Sequence, residues 1–423
     1  MKNMVSTILT SAGIPVIIER LPDFHSASLS VYLGAGSRDE EEQQAGIAHV
    51  LEHMLFKGTY RRTSREISEC IEAAGGEMNG YTTKEVTSYQ ICTLDETVDV
   101  AQDILADMIL NPSLDNSCLI TEKNVILQEI NMLQNDPDRY IHVLFADALW
   151  GGHPMGRSEA GSSETVISIT EGDVRNFFRQ HYRPPNMAVV AVGNVDASQI
   201  TNWVSDSFDH LSLTQSSHNR IAPHYNAEFK LYPREGPQAY VGIGFPGSSS
   251  IDPDRFSQRL LASILGIGTS SRLFQEIREK EGLVYEVFAS SSSYTDCGAM
   301  SIFFNTTVNN MEKVVHLISK EILRLKNEGL DNGELERAKR LLKGIYVRRL
   351  ESSETRMIRL GEVFMSTGEA ITSEETLCSI DNVTEEDVCN AASDVMSRDN
   401  LCMAVHASEE SKKYINNLEG LDF

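Results

Sequence analysis

No apolar run in the 423 residues reaches the length of about 18 that a helix needs to cross a bilayer. The amino-terminal stretch MKNMVSTILTSAGIPVIIERL holds only a brief apolar segment before polar residues, which argues against a secretory signal. Cysteine is sparse and unpatterned: Cys70, Cys92, Cys118, Cys297, Cys378, Cys389 and Cys402 are odd in number and show no Cys-x-x-Cys spacing. That excludes a disulfide framework and a cysteine zinc site, and fits free thiols in a reducing compartment. Basic charge is also short, 37 Lys and Arg against 61 Asp and Glu, for a formal net charge of -24. Nothing supplies the electrostatic footprint that a nucleic-acid backbone demands. The acidity serves solubility, or draws cationic peptides into an acidic cavity. A soluble, cytoplasmic protein without membrane or nucleic-acid partners is expected.

What is present is enough apolar side chain, 41% of residues, to bury sizeable cores, and enough length for two domains. The polar stretch LSLTQSSHNRIAPHYN at 211–226 suits a linker, so a first domain at 1–212, a linker at 213–226 and a second domain at 227–423 are expected. The two segments are alike, as a long-period repeat requires. In the first, SASLSVYLGAGSRDE alternates as a strand and QQAGIAHVLEHMLFKGT has the pattern of a helix closed by Gly58. In the second, QAYVGIGFPGSSSIDP and DRFSQRLLASILGIG repeat that order. Each continues with a further helix (SREISECIEAAGG; SSRLFQEIREKEG), a hairpin and long amphipathic helices. Both domains are predicted as α+β, a mostly antiparallel sheet packed with helices.

The repeat is most informative where its copies differ. Aligning Gly36 with Gly247 sets Leu260, Ser263 and Ile264 against His49, Glu52 and His53. Aligning TEKNVILQE with LERAKRLLK sets Glu336 against Glu122 and Lys343 against Glu129. The second copy cannot assemble whatever site the first one builds.

Within GIAHVLEHMLFKG, Ile47, Val50, Leu51, Met54 and Leu55 recur as a core-facing helical stripe. His49, Glu52 and His53 lie off it. Residues four apart share a helix face, so two imidazoles converge, with a carboxylate on the neighbouring turn. A catalytic zinc takes three protein ligands and keeps a position open, and His₂Glu is one such set. The third ligand must come from elsewhere. The amphipathic helix in SLDNSCLITEKNVILQEINMLQND offers Glu122 and Glu129, about two turns apart on one face. Either can ligate while the other braces. Glu52 is then the base that takes a proton from water at the metal.

The sequence HVLEH, followed by MLFKGT, resembles the inverted zinc motif of the pitrilysin/insulysin family, and in particular the mitochondrial processing peptidase branch with its bacterial and archaeal relatives. The resemblance spans nearly the whole chain. Its form E-x-x-V-I-x-x-E, matched by Glu122 through Glu129, assigns Glu129 to the metal and Glu122 to orienting a ligating histidine. It makes AGGEMNGYTTKEVTSYQ a substrate-binding edge with Asn79 at the matching position, where the residues alone show a hairpin with a turn asparagine. It picks out Arg278 and Tyr285 in SRLFQEIREKEGLVYEV as groups that hold a substrate carbonyl and donate to a developing oxyanion.

The resemblance further implies a homodimer, with Arg278 and Tyr285 reaching the zinc site of the opposite subunit, one Zn²⁺ per subunit, and peptides or unfolded segments as substrates. The expected function is a zinc metalloendopeptidase. The alternatives are a subunit that needs a different partner, and a non-catalytic peptide-binding relative. Intact His49, Glu52, His53 and Glu129 argue against the last.

Overall fold

The computed structural model describes residues 5–211, 220–418 and 421–423. Eleven strands form two sheets among these residues. The first comprises β1 (Val5–Leu9), β2 (Pro15–Arg20), β3 (Ser26–Leu33), β4 (Glu77–Thr82), β5 (Thr87–Leu94) and β6 (Met187–Gly193), in the order β1-β2-β6-β3-β5-β4. The second comprises β7 (Phe229–Pro233), β8 (Gln238–Gly247), β9 (Val287–Ser293), β10 (Gly298–Thr307) and β11 (Cys402–Ala407), in the order β7-β11-β8-β10-β9. Without β1 the two orders correspond strand for strand. Each sheet has one parallel pair, β2 with β6 and β7 with β11, and is otherwise antiparallel. The α+β class and the repeat expected from the sequence are both present.

Two compact units contain these sheets, and they do not follow the sequence halves. The first unit draws on Met1–Asn131, Arg157–Ile221 and Arg348–Thr372; the second on Met132–Gly156, Ala222–Val347 and Ser373–Phe423. Each therefore includes a helix from the other half of the chain. In the first unit, one sheet face (Leu29, Val31, Tyr89, Ile91) buries the stripe Ile47, Val50, Leu51 and Met54. The other face (Ile17, Tyr32, Val190, Val192) is covered by Met357 and Leu360 of the helix Ser353–Thr367. In the second unit, Phe145 and Leu149 of the helix Pro137–Trp150 pack with Phe303, Cys402 and Ala404. Each large aliphatic or phenylalanine side chain among these contributes about 1.5–3 kcal/mol by leaving water. Glycine makes the approach possible: a Cβ on Gly361 would stand 2.1 Å from the Tyr32 ring, and one on Gly244 would stand 2.2 Å from the Phe145 ring.

Of the linker expected at 213–226, residues 213–219 lie outside the described residues. Its remainder is firmly held. Arg220 donates to both carboxylate oxygens of Asp39 at 2.9 and 2.7 Å, and Arg38 Nη2 donates to the Ile221 carbonyl at 2.7 Å, all within the first unit. In the second unit, Asn226 N donates to the Leu149 carbonyl at 2.9 Å.

Candidate metal centre

The helix Ile47–Leu55 begins later than its periodicity predicts, because Gly46 has φ 96° and cannot continue a right-handed helix backwards. A carboxylate caps that end: Glu40 accepts from the amides of Gly46 and Ala48, each at 2.8 Å. Burial pushes the Glu40 carboxyl up to about 8, opposed by these two hydrogen bonds. Beyond Leu55 the chain turns, with the amides of Phe56 and Lys57 donating to the carbonyls of His53 and Met54. The long helix Asn116–Gln134 supplies the facing carboxylates.

Three groups converge between these helices. His49 Nε2 and His53 Nε2 stand 3.7 and 3.8 Å from Glu129 Oε2. Those separations are too long for hydrogen bonds and close to the edge of roughly 3.4 Å that a tetrahedron with bonds of about 2.1 Å would have. Two imidazoles and a carboxylate form a borderline-soft set that suits zinc. Burial, with the neighbouring His53 adding to it, lowers His49 to about 4, so its ring stays neutral. Its Nδ1 is buried and finds no hydrogen-bond partner among the described residues. His53 Nδ1 lies 3.2 Å from Glu122 Oε2, which fixes the proton on Nδ1 and turns the Nε2 lone pair toward Glu129. Glu122 is 4% exposed, and its other oxygen takes an ion pair from Lys57 Nζ at 2.9 Å.

Glu52 sits beside this cluster, 7% exposed, with Oε2 accepting from the Thr82 hydroxyl at 2.8 Å. Burial raises its pKa and Glu129 adds to the rise, while Thr82 and His53 oppose it. Asn79 is exposed on β4, across from Gln90 of β5; its Oδ1 accepts from the amide of Gly80 at 2.9 Å. Among the described residues β4 pairs on one side only, so its other edge is open.

Arg278 and Tyr285 belong to the second unit. Arg278 lies in a wide π-type turn, Phe274–Lys280, with its guanidinium 4.6 Å from the Phe274 ring centre and 5.8 Å from that of Tyr285. Tyr285 is 81% exposed. The structure adds two groups that sequence patterning missed, Thr82 and Lys57. Each is contiguous with a motif, yet only the folded hairpin and the facing helix reveal its partner.

A repeated α+β scaffold with a His₂Glu donor set in one repeat marks a candidate metal-binding protein, and the comparisons with known proteins narrow it. Residues 15–163 match the insulinase family (peptidase family M16), and residues 168–342 match the peptidase M16 inactive domain. An uncharacterized zinc protease of Streptomyces coelicolor is 35% identical over 91% of this chain and 86% of its own length. The uncharacterized zinc protease YmxG of Bacillus subtilis is 32% identical over 94% and 97%. The chain belongs to peptidase family M16. In fold it matches the crystal structure of a peptidase M16 inactive domain from Pseudomonas fluorescens, with a TM-score of 0.88 at 20% identity over 96% and 98% of the two chains. A protease from Helicobacter pylori gives a TM-score of 0.87 at 19% identity over 96% and 99%. Among the described residues no helix is long and apolar enough to cross a membrane.

Proposed function

We propose that the chain is a zinc metalloendopeptidase acting on oligopeptides and on unfolded or presequence-like segments, with one zinc per subunit. The convergence of His49 Nε2, His53 Nε2 and Glu129 Oε2, with Glu52 beside them, carries this reading. When bound there, zinc would supply Lewis-acid stabilisation of negative charge on the reacting oxygens. His49, His53 and Glu129 would hold it, and Glu122 orients His53 through Nδ1.

Glu52 takes a proton from the attacking water on Oε1, the oxygen that Thr82 does not occupy, and returns it to the leaving amine. Its buried setting, which raises its pKa, favours holding that proton between the two steps. The open edge of β4, with Asn79 on it, pairs an extended peptide through main-chain hydrogen bonds. Only unfolded segments can present such a strand.

The second domain completes the substrate chamber rather than the metal site, and in a homodimer Arg278 and Tyr285 serve the opposite subunit. The exposure of Tyr285 leaves its hydroxyl available for that role. Seven free cysteines support a reducing, cytoplasmic location.

The test is hydrolysis of a mixed quenched-fluorescent peptide library by the pure, zinc-loaded protein, with and without a chelator. Chelator-sensitive cleavage is expected; none would favour the partner-dependent or peptide-binding alternative. Mixing Glu52→Gln with Tyr285→Phe subunits should recover activity through hybrid dimers, and no recovery despite subunit exchange would reject the shared site.

A further inference from the structure

We infer that Thr82 is a positioning residue for Glu52, so that the edge strand β4 aims the base as well as receiving the peptide. This rests on the reading of Glu52 as the base. An ionised carboxylate only accepts hydrogen bonds, and its direction is set by whichever donor it finds. Glu52 has one donor among the described residues, the Thr82 hydroxyl at 2.8 Å on Oε2. Without it, no hydrogen-bond donor among the described residues selects among the rotamers of a side chain with three free torsions.

The second oxygen is placed by the same strand. Gly80 lies two residues from Thr82, on the same face of β4. A Cβ at Gly80 would stand 3.1 Å from Glu52 Oε1 and 3.0 Å from the Phe56 ring. Thus β4 grips Oε2 with a hydroxyl at one position and leaves space beside Oε1 at the other.

The grip is anchored on a braced hairpin rather than a free loop. Thr82 pairs with Thr87 of β5, and Thr83 N donates to the Val86 carbonyl at 2.8 Å to close the turn. The turn is fastened from outside by Ser37 N to the Thr83 carbonyl at 3.0 Å, by Arg38 N to the Lys84 carbonyl at 2.7 Å, and by the buried Arg38–Glu85 ion pair at 2.6 Å. A peptide aligned along β4 is therefore referenced to the base through one rigid element. Losing the hydroxyl leaves the edge that binds peptide intact while releasing the group that reacts.

Thr82→Val keeps the β-branched shape and removes the hydroxyl; Thr82→Ser keeps the hydroxyl. With a peptide substrate, the valine variant should lose roughly 10–100-fold in kcat with KM within about twofold, and serine should restore most of the loss. Zinc content should be the same in all three proteins. Crystal structures of the zinc-loaded variants should show the Glu52 carboxylate displaced in Thr82→Val and in place in Thr82→Ser. Wild-type kcat in the valine variant, or an undisplaced carboxylate, overturns the proposal. A valine variant that does not fold is replaced by Thr82→Ala under the same criteria. An inactive wild type defeats the peptidase reading alone, since the crystallographic comparison still decides whether Thr82 positions Glu52.

Discussion

In the first unit the helix Ile47–Leu55 carries His49, Glu52 and His53 at positions where the repeat gives the helix Arg255–Gly266 Leu260, Ser263 and Ile264, each at most 3% exposed. Both units also bury a carboxylate nearby. Glu122, 4% exposed, is shared between His53 and Lys57; Glu334, 6% exposed, takes two bonds from Arg272, at 2.9 and 2.6 Å. Lys343, aligned with Glu129, pairs with Asp381 at 2.5 Å. One scaffold thus supports two outcomes. In the second unit the charged groups neutralise one another. In the first, three donors face each other beyond hydrogen-bond range, an arrangement that a cation satisfies and that is otherwise costly.

The largest effect expected from this contrast is on hydrolysis. Glu52→Gln should lower peptide cleavage by roughly 10²–10⁴-fold without loss of zinc, whereas Ser263→Ala at the aligned position should leave the rate within about twofold. A large loss in Ser263→Ala would break the comparison. Next is stability: Arg272→Met strands Glu334 in the core and should cost about 3–5 kcal/mol in chemical denaturation while zinc binding persists. Arg272→Met with Glu334→Leu should recover much of that loss.

Lys57→Met sharpens the comparison in the first unit, because Lys57 does for Glu122 what Arg272 does for Glu334. Zinc affinity, measured by competition with a chromophoric chelator, should fall by roughly 10-fold, toward the weak end of the effects of groups behind a metal ligand. A separate effect, on the pH dependence of stability, concerns Glu40, whose carboxyl is raised to about 8 from an ordinary value of 4.5. The folded state then holds a proton that the unfolded state has released. Its contribution is fully present below the unfolded value and is lost as pH rises through about 8. Wild-type stability should therefore decline between pH 5 and pH 9 by more than that of Glu40→Gln, as read from urea unfolding at each pH.

Much of the site was legible because it is local. The spacing of His49, Glu52 and His53 on a helix fixes their common side, and Glu122 and Glu129 share a face of theirs. Choosing Glu129 over Glu122 needed the family resemblance; the structure separates them by what they touch, imidazole Nε2 atoms in one case, Nδ1 and a lysine in the other. Thr82 escaped notice since a threonine at the end of a strand has no distinguishing pattern, and its partner lies 30 residues away. Amphipathic helices after each hairpin were legible, but periodicity says that a face is buried and not against what, so the cover that the helix Ser353–Thr367 gives the first unit's sheet was not. Composition marked 213–226 as a linker, but polarity alone does not announce that its Arg220 is ion-paired to Asp39.

The borrowed helices make the two halves of this chain mutual hostages. Each unit is built from polypeptide on both sides of the 212–219 segment, so cleaving there would yield two fragments that stay together without a covalent link. For the same reason, a gene fragment encoding only residues 1–211 would leave Ile17, Tyr32, Val190 and Val192 without their cover and would precipitate when expressed alone. Co-expressing the two fragments should rescue both. The repeat therefore does not comprise two separable modules; one helix placed each way across the halves makes them a single folding unit.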